Sequence, residues 1–254
     1  MLRRAAPFTF AAFAELCRHL STMPVFCVAD YFALSAPPAP PFAILRLDVD
    51  YREPNAVRLA EIAAQQGVHG SFYFRWQGKT FPLDKMHAVQ ALGHEVGYHF
   101  ETLDLCAGNW MCARQTFLAH IAQLRAAGIH VQTVAAHGSS PRATTYRNNR
   151  DLLRHAPELL RQAHLRGDAM QHMDFARVWY VSDATWRWHV YADYTPEIAG
   201  TPTPLPVWLG ARLEHKRGLY INVHPHQWFA SPWASRYFRA RNRAGRALQA
   251  QLGK

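Results

Sequence analysis

The nine-residue run Phe42 to Asp50 (FAILRLDVD) is the feature that most limits how this chain can fold. It follows Ser35 to Pro41 (SAPPAPP), which can be neither helix nor interior strand, because proline lacks the N–H and restricts the residue before it. A run this apolar, left through two carboxylates, predicts a buried strand with polar groups at its end. Residues 55–66 (NAVRLAEIAAQQ) then put Val57, Ala60 and Ala64 on one helical face, with Gly67 as the stop.

The alternation continues down the chain. Residues 68–75, 94–98, 131–136, 178–182 and 219–223 read as strands; 85–92, 112–127, 151–165 and 233–252 read as helices, with Pro157 beginning a second short helix. Repeated strand–helix units imply right-handed crossovers and a parallel sheet, open or closed into a barrel. Residues 184–212, rich in Trp, Tyr, Pro and Thr, fit neither period and are expected to form loops near the mouth.

Upstream of the proline segment, Met1-Leu2-Arg3-Arg4 and the alanines after it superficially resemble an export leader. Cleavage after Ala14 would leave it at half the usual length, and Glu15 and Arg18 interrupt any extension. Phe10, Phe13, Cys17 and Leu20 instead share one helical face behind Thr9 as N-cap. The expected organisation is an N-terminal helical appendage over 1–40, packed on a main domain over 41–254, in a cytoplasmic protein.

Composition excludes several classes. With 49% hydrophobic and 18% charged residues the chain is no disordered polymer, and no apolar stretch reaches the ~18 residues of a membrane span. The net charge of +10 is spread along the sequence, so nucleic acid is not the expected partner. Arg236, Arg239, Arg241, Arg243 and Arg246 in the last helix read as a solvated face, with Phe238 and Leu248 packing inward. Cys17, Cys27, Cys106 and Cys112 contain no C-x-x-C pair; although Cys106 and Cys112 are near enough to bridge, all four are expected to be small buried thiols in a reducing compartment.

Ionisable residues collect where strands are predicted to finish: Asp48 and Asp50, then His99, His137 and His224. That rim is where parallel β/α folds gather catalytic and binding groups. At the end of a strand the alternation is expected to break down, letting both aspartates turn into one cavity, one to bind a metal and one to take a proton. The plainer alternative is helix capping by Asp50 or Asn55. His94, ahead of its strand, is expected to be structural, and His99 the ligand. His137 precedes Gly138 in a turn that brings backbone amides near a ligand, or is an ordinary β-turn. Trp228 either walls the pocket or packs on the barrel end.

In this order the motifs resemble the polysaccharide deacetylase (NodB-homology) family. LRLDVD (45–50) is similar to its T-F-D-D motif, Gly93 to His99 (GHEVGYH) to its G-H-E-I-G-x-H, Ser71 to Phe74 to its second strand, and Ile221 to Trp228 to its terminal strand with a catalytic histidine. The resemblance covers about residues 42–230. It implies a distorted (β/α) barrel of about seven parallel strands, a divalent metal (often zinc), and hydrolysis of an N-acetyl group from a sugar or glycan precursor. By position Asp48 would be the general base, Asp50 and His99 metal ligands and His224 the general acid. The family's second metal histidine is replaced by Leu103, with Asp104 close but off position, so a third ligand must come from His137 or Glu101. Arg46, Trp186 and Trp228 are expected to contact substrate, with Trp188, His189, Tyr191 and Tyr194 as further stacking candidates. The rival readings are a non-catalytic carbohydrate-binding relative with a degenerate metal site, hydrolysis of another C–N bond, and nucleic-acid binding through the last helix.

Overall fold

The computed structural model describes residues 8–138, 148–191, 201–202 and 217–252. Its centre is a mainly parallel sheet built from β1 (Val25–Phe26), β2 (Ala43–Val49), β3 (Ser71–Phe74), β4 (Glu95–Phe100), β5 (Thr133–Ala136), β6 (Gly167–Asp168), β7 (Val178–Ser182), β8 (His189–Tyr191), β9 (Thr201–Pro202) and β10 (Gly218–Val223). The spatial order is β6-β5-β4-β3-β2-β10-β7-β8-β9, with β1 beside β2. The path from β6 to β7 is seven parallel strands, and β8 and β9 continue it antiparallel.

The sheet curls into an incomplete barrel. Tyr220 Oη on β10 donates to the carbonyl of Ala169, just past β6, at 2.7 Å. Those strands are five places apart in the ladder, about 24 Å in a flat sheet, far beyond a tyrosine's reach. Alternation along β2 then separates two environments. Ala43, Leu45, Leu47 and Val49 face the outer layer of helices, while Ile44, Arg46 and Asp48 face the concave side. Gly97 makes room inside: a Cβ there would lie 2.5 Å from the Tyr73 ring and 2.8 Å from Thr133 O.

The helices are α1 (Phe10–Leu20), α2 (Val28–Ala33), α3 (Glu53–Gln65), α4 (Leu83–Ala91), α5 (Thr102–Leu105), α6 (Trp110–Ala126), α7 (Asp151–His155), α8 (Glu158–Gln162) and α9 (Pro232–Leu252). Thr9 caps α1 by accepting from Ala12 N, and Phe13, Cys17 and Leu20 are buried, as the periodicity required. The N-terminal segment does more than pack as a helix. β1 enters the sheet, α2 donates Val28 N to Ser71 Oγ and Ala29 N to Glu95, and Val28 and Tyr31 join the interior cluster. Phe10 N donates to Phe229 O and Phe229 N to Phe8 O, joining the start of α1 to the segment after β10.

Two expectations are corrected. Cys106 and Cys112 are bridged, their Cα atoms 5.8 Å apart, so the end of α5 is tied to the first turn of α6. Only Cys17 and Cys27 are the buried free thiols expected, and burial pushes both up to about 12. Part of the segment read as loop, 184–212, is regular: β8 and β9 extend the sheet, while Tyr194 lies outside the described residues. No helix among the described residues is long and apolar enough to cross a membrane.

Candidate active site

Every residue of the site follows the C-terminal end of a strand or sits in its last turns, so parallel strands deliver them to one rim. Asp48 and Asp50 reach it differently from the expectation above. The alternation does not break down; Asp50, one residue beyond β2, keeps the two-residue spacing from Asp48, and this is what brings both to the concave side. Neither Asp50 nor Asn55 caps α3, whose N-cap Arg52 has φ 60° and no side-chain cap. Asn55 instead donates to the carbonyls of Pro225 and Trp228, holding the loop after β10.

Asp50, His99 and His137 place one ligand atom each within 4.8 Å of one another. His99 Nε2 is 3.4 Å and His137 Nε2 3.6 Å from Asp50 Oδ1. Donor atoms of a tetrahedral zinc site, with bonds of ~2.0–2.1 Å, lie about 3.3 Å apart, so the spacing suits such an ion. Asp50 Oδ1 is buried and has no hydrogen-bond partner among the described residues. An ionised carboxylate oxygen shut away without a partner is costly, and a cation between these three groups removes that cost. The residues fit a divalent metal.

Both histidines turn Nε2 towards Asp50. His99 Nδ1 donates to Ala135 O at 3.0 Å, which fixes the ring with Nε2 facing Asp50. Burial pushes His137 down to about 4, reinforced by His99 and opposed by Asp50. Its Nδ1 faces Glu101 Oε2 at 3.4 Å, and Glu101 is gripped through both oxygens by Arg75, at 3.1 and 2.5 Å. Of the two candidates for third ligand, His137 stands in the cluster with Asp50 and His99, and Glu101 stands behind it. A second grouping, Glu101, Asp104 and His137, shares these residues, but Arg75 already neutralises Glu101 and Asn149 donates to Asp104 at 2.8 Å. Leu103 is fully buried in the core.

Asp48 and Arg46 form a buried ion pair, Nε to Oδ1 at 2.7 Å and Nη2 to Oδ2 at 2.8 Å. Asn222 adds a donor to Oδ2 at 3.1 Å, and His99 Nε2 is 3.9 Å away. Burial would raise the Asp48 carboxyl, but Arg46, then His99 and His224, hold it below the usual carboxylate range. This corrects the place of Arg46: at 2% exposure its guanidinium is turned to Asp48, not to a substrate. Asp50 is likewise held low, burial being outweighed by His99, His224 and His137.

Across the rim, His224 Nδ1 meets Asp183 Oδ1 at 2.5 Å, and the His224 backbone N–H donates to the same carboxylate. Burial would depress this histidine; Asp183, with Asp50 and Asp48 behind it, raises it to about 9, so it is an imidazolium at neutral pH. Trp228 Nε1 donates to Asp183 Oδ2 at 2.7 Å. Trp228 is therefore an orienting group, 2% exposed and packed between Phe8 and Phe13, and offers no face to a sugar. Trp186, 5% exposed and stacked on Phe229, offers none either. His94, as expected, is structural: Nδ1 accepts from Gly70 N and Nε2 donates to Ala60 O.

Sequence reasoning missed Asp183, Arg75 and His226. Asp183 directly follows the strand read at 178–182, so the strand-end rule that found the histidines would have found it. His226 stands two residues from His224 in His-Pro-His, and Arg75 closes the strand read at 68–75 with no local pattern that points to Glu101.

No family model matches this chain, and no curated protein matches it. Among solved structures the chain is similar to a mutant of BA3943, described as a CE4-family pseudoenzyme with restored enzymatic activity. The identity is 16% and the TM-score 0.43, over 72% of this chain and 56% of that one.

Proposed function

We propose that the protein is a metal-dependent hydrolase that removes an N-acetyl or related acyl group from an amino sugar or glycan precursor. One observation carries the reading: an Asp50–His99–His137 cluster spaced for a metal ion, an aspartate held low by Arg46 and a histidine raised by Asp183 share one rim of a curled parallel sheet. The order of motifs resembling polysaccharide deacetylases supplies the substrate class.

Asp50, His99 and His137 would hold the ion, which when bound polarises an amide carbonyl and makes a water molecule more acidic. Asp48, kept ionised by Arg46, accepts the proton of the attacking water. Its low basicity limits it to an acidified water. His224 donates its Nε2 proton to the departing sugar nitrogen, which is too basic to leave as an anion; Asp183 keeps that proton in place beforehand. Glu101 and Arg75 hold His137, and Trp228 holds Asp183. With His137 in the cluster, the absence of a histidine at Leu103 does not leave the ligand set short.

The test is metal content of protein purified without chelator, with acetate release from N-acetylglucosamine oligomers. About one zinc per chain is expected, lost in the double variant Asp50→Asn/His137→Ala, with turnover falling ~10²–10⁴-fold in His224→Ala. Sugar binding with no metal in the wild-type protein would instead mark a carbohydrate-binding module and end the hydrolase reading.

A further inference from the structure

The loop after β10 brings another histidine to the Asp50 carboxylate. His226 is 8% exposed, and its Nδ1 lies 3.6 Å from Asp50 Oδ2 with no hydrogen-bond partner among the described residues. Its ring is stacked on Tyr51, centroids 4.1 Å apart at 22°. Asp50 thus divides its two oxygens: Oδ1 faces His99 and His137, and Oδ2 faces His226.

We infer that His226 is a positioning residue of the metal centre, its Nδ1 directed at Oδ2 of Asp50 from 3.6 Å so that the carboxylate offers Oδ1 alone to the ion. This rests on the reading of Asp50, His99 and His137 as a metal site. Carboxylates bind divalent ions through one oxygen or both, and a catalytic ion needs a coordination position left open for water or substrate. Occupying Oδ2 keeps that position open. His226 also completes a pattern. His99 is steadied by Ala135 O and His137 by Glu101, and His226 supplies the outer partner of the third ligand. A role as a further ligand to the same ion is not what the positions describe, because the mutually close donor set is Asp50, His99 and His137 without it. Tyr51 fixes the ring plane, so the direction of Nδ1 is set by packing before any ion arrives.

Two variants separate the nitrogen from the ring. His226→Phe keeps an aromatic ring on Tyr51 and removes Nδ1; His226→Asn loses the ring and keeps an N–H donor at the same depth. Zinc affinity is measured by competition with a chromogenic chelator, and coordination number by the visible spectrum of the cobalt(II) protein, after circular dichroism has checked folding. His226→Phe should bind zinc about 10–100-fold more weakly, with cobalt bands weakened by a rise in coordination number, while His226→Asn stays within about 3-fold of wild type. The inference is overturned if His226→Phe keeps wild-type affinity and spectrum, or if His226→Asn is as weak as His226→Phe, which would make the ring's packing the cause. Wild-type protein that takes up neither ion overturns the metal reading and this one together. Normal wild-type uptake with an unaffected His226→Phe removes only His226.

Discussion

The concave face holds two buried polar layers that look alike in composition and differ in completeness. Near the closed end, Glu95 Oε2 accepts from Ser71 Oγ at 2.5 Å and Ala29 N at 3.0 Å, its Oε1 accepts from Thr133, and Thr133 pairs with Tyr73 Oη at 2.6 Å. At the open end, Asp50 Oδ1 is buried without a hydrogen-bond partner among the described residues, and His99 Nε2 and His137 Nε2 face it at 3.4 and 3.6 Å. The closed layer stabilises the fold and is finished. The open one spaces its ligand atoms as a cation would need them. Burial raises the carboxyl in both layers, and the outcomes differ: Glu95 ends above its ordinary range, whereas at the rim imidazoles and Arg46 outweigh burial and hold Asp50 and Asp48 low.

Substitutions can break or sharpen this contrast. The largest effect is expected where the layers meet. Arg46→Met leaves Asp48 buried and uncompensated, which should lower unfolding free energy by about 3–5 kcal/mol, read by urea denaturation. A loss under ~1 kcal/mol would show that Asp48 is wetter than its surroundings imply. Glu95→Gln turns an acceptor into a donor facing Ser71 or Thr133. It should cost about 1–3 kcal/mol and leave zinc stoichiometry unchanged; a fall in bound zinc would merge the two layers into one functional unit. The smallest effect is a shift in pH dependence. Asp183→Asn removes the chief group raising His224, so its pKa should fall by about 1–2 units. In the proposed mechanism the protonated ring is the acid, so the alkaline limb of the pH–rate profile should move to lower pH while the acid limb stays. An unmoved alkaline limb would assign it to another group.

Much of the framework was legible in the sequence because burial and period agree there. β2 is buried at every position and leaves through Asp48 and Asp50, and α1 follows the face of Phe13, Cys17 and Leu20. The rim residues Asp50, His99 and His137 were legible for the same reason, since parallel strands bring their ends together. What escaped needed partners distant in sequence. Nothing in the local pattern says that Arg46 turns to a carboxylate two residues on instead of to substrate. Nor does it say that Trp228 donates to Asp183, 45 residues earlier. The Cys106–Cys112 bridge depends on a tight corner between α5 and α6 that spacing alone leaves open.

Stitching Phe8 and Phe10 to Phe229 makes the beginning of the chain a buttress for the turn that carries His224 and His226. A protein trimmed past residue 10, or fused tightly to a tag there, would retain every side chain of the candidate site and yet lose the brace that aims two of them. Impaired chemistry in such a preparation would report on where the tag was put before it reported on the active site.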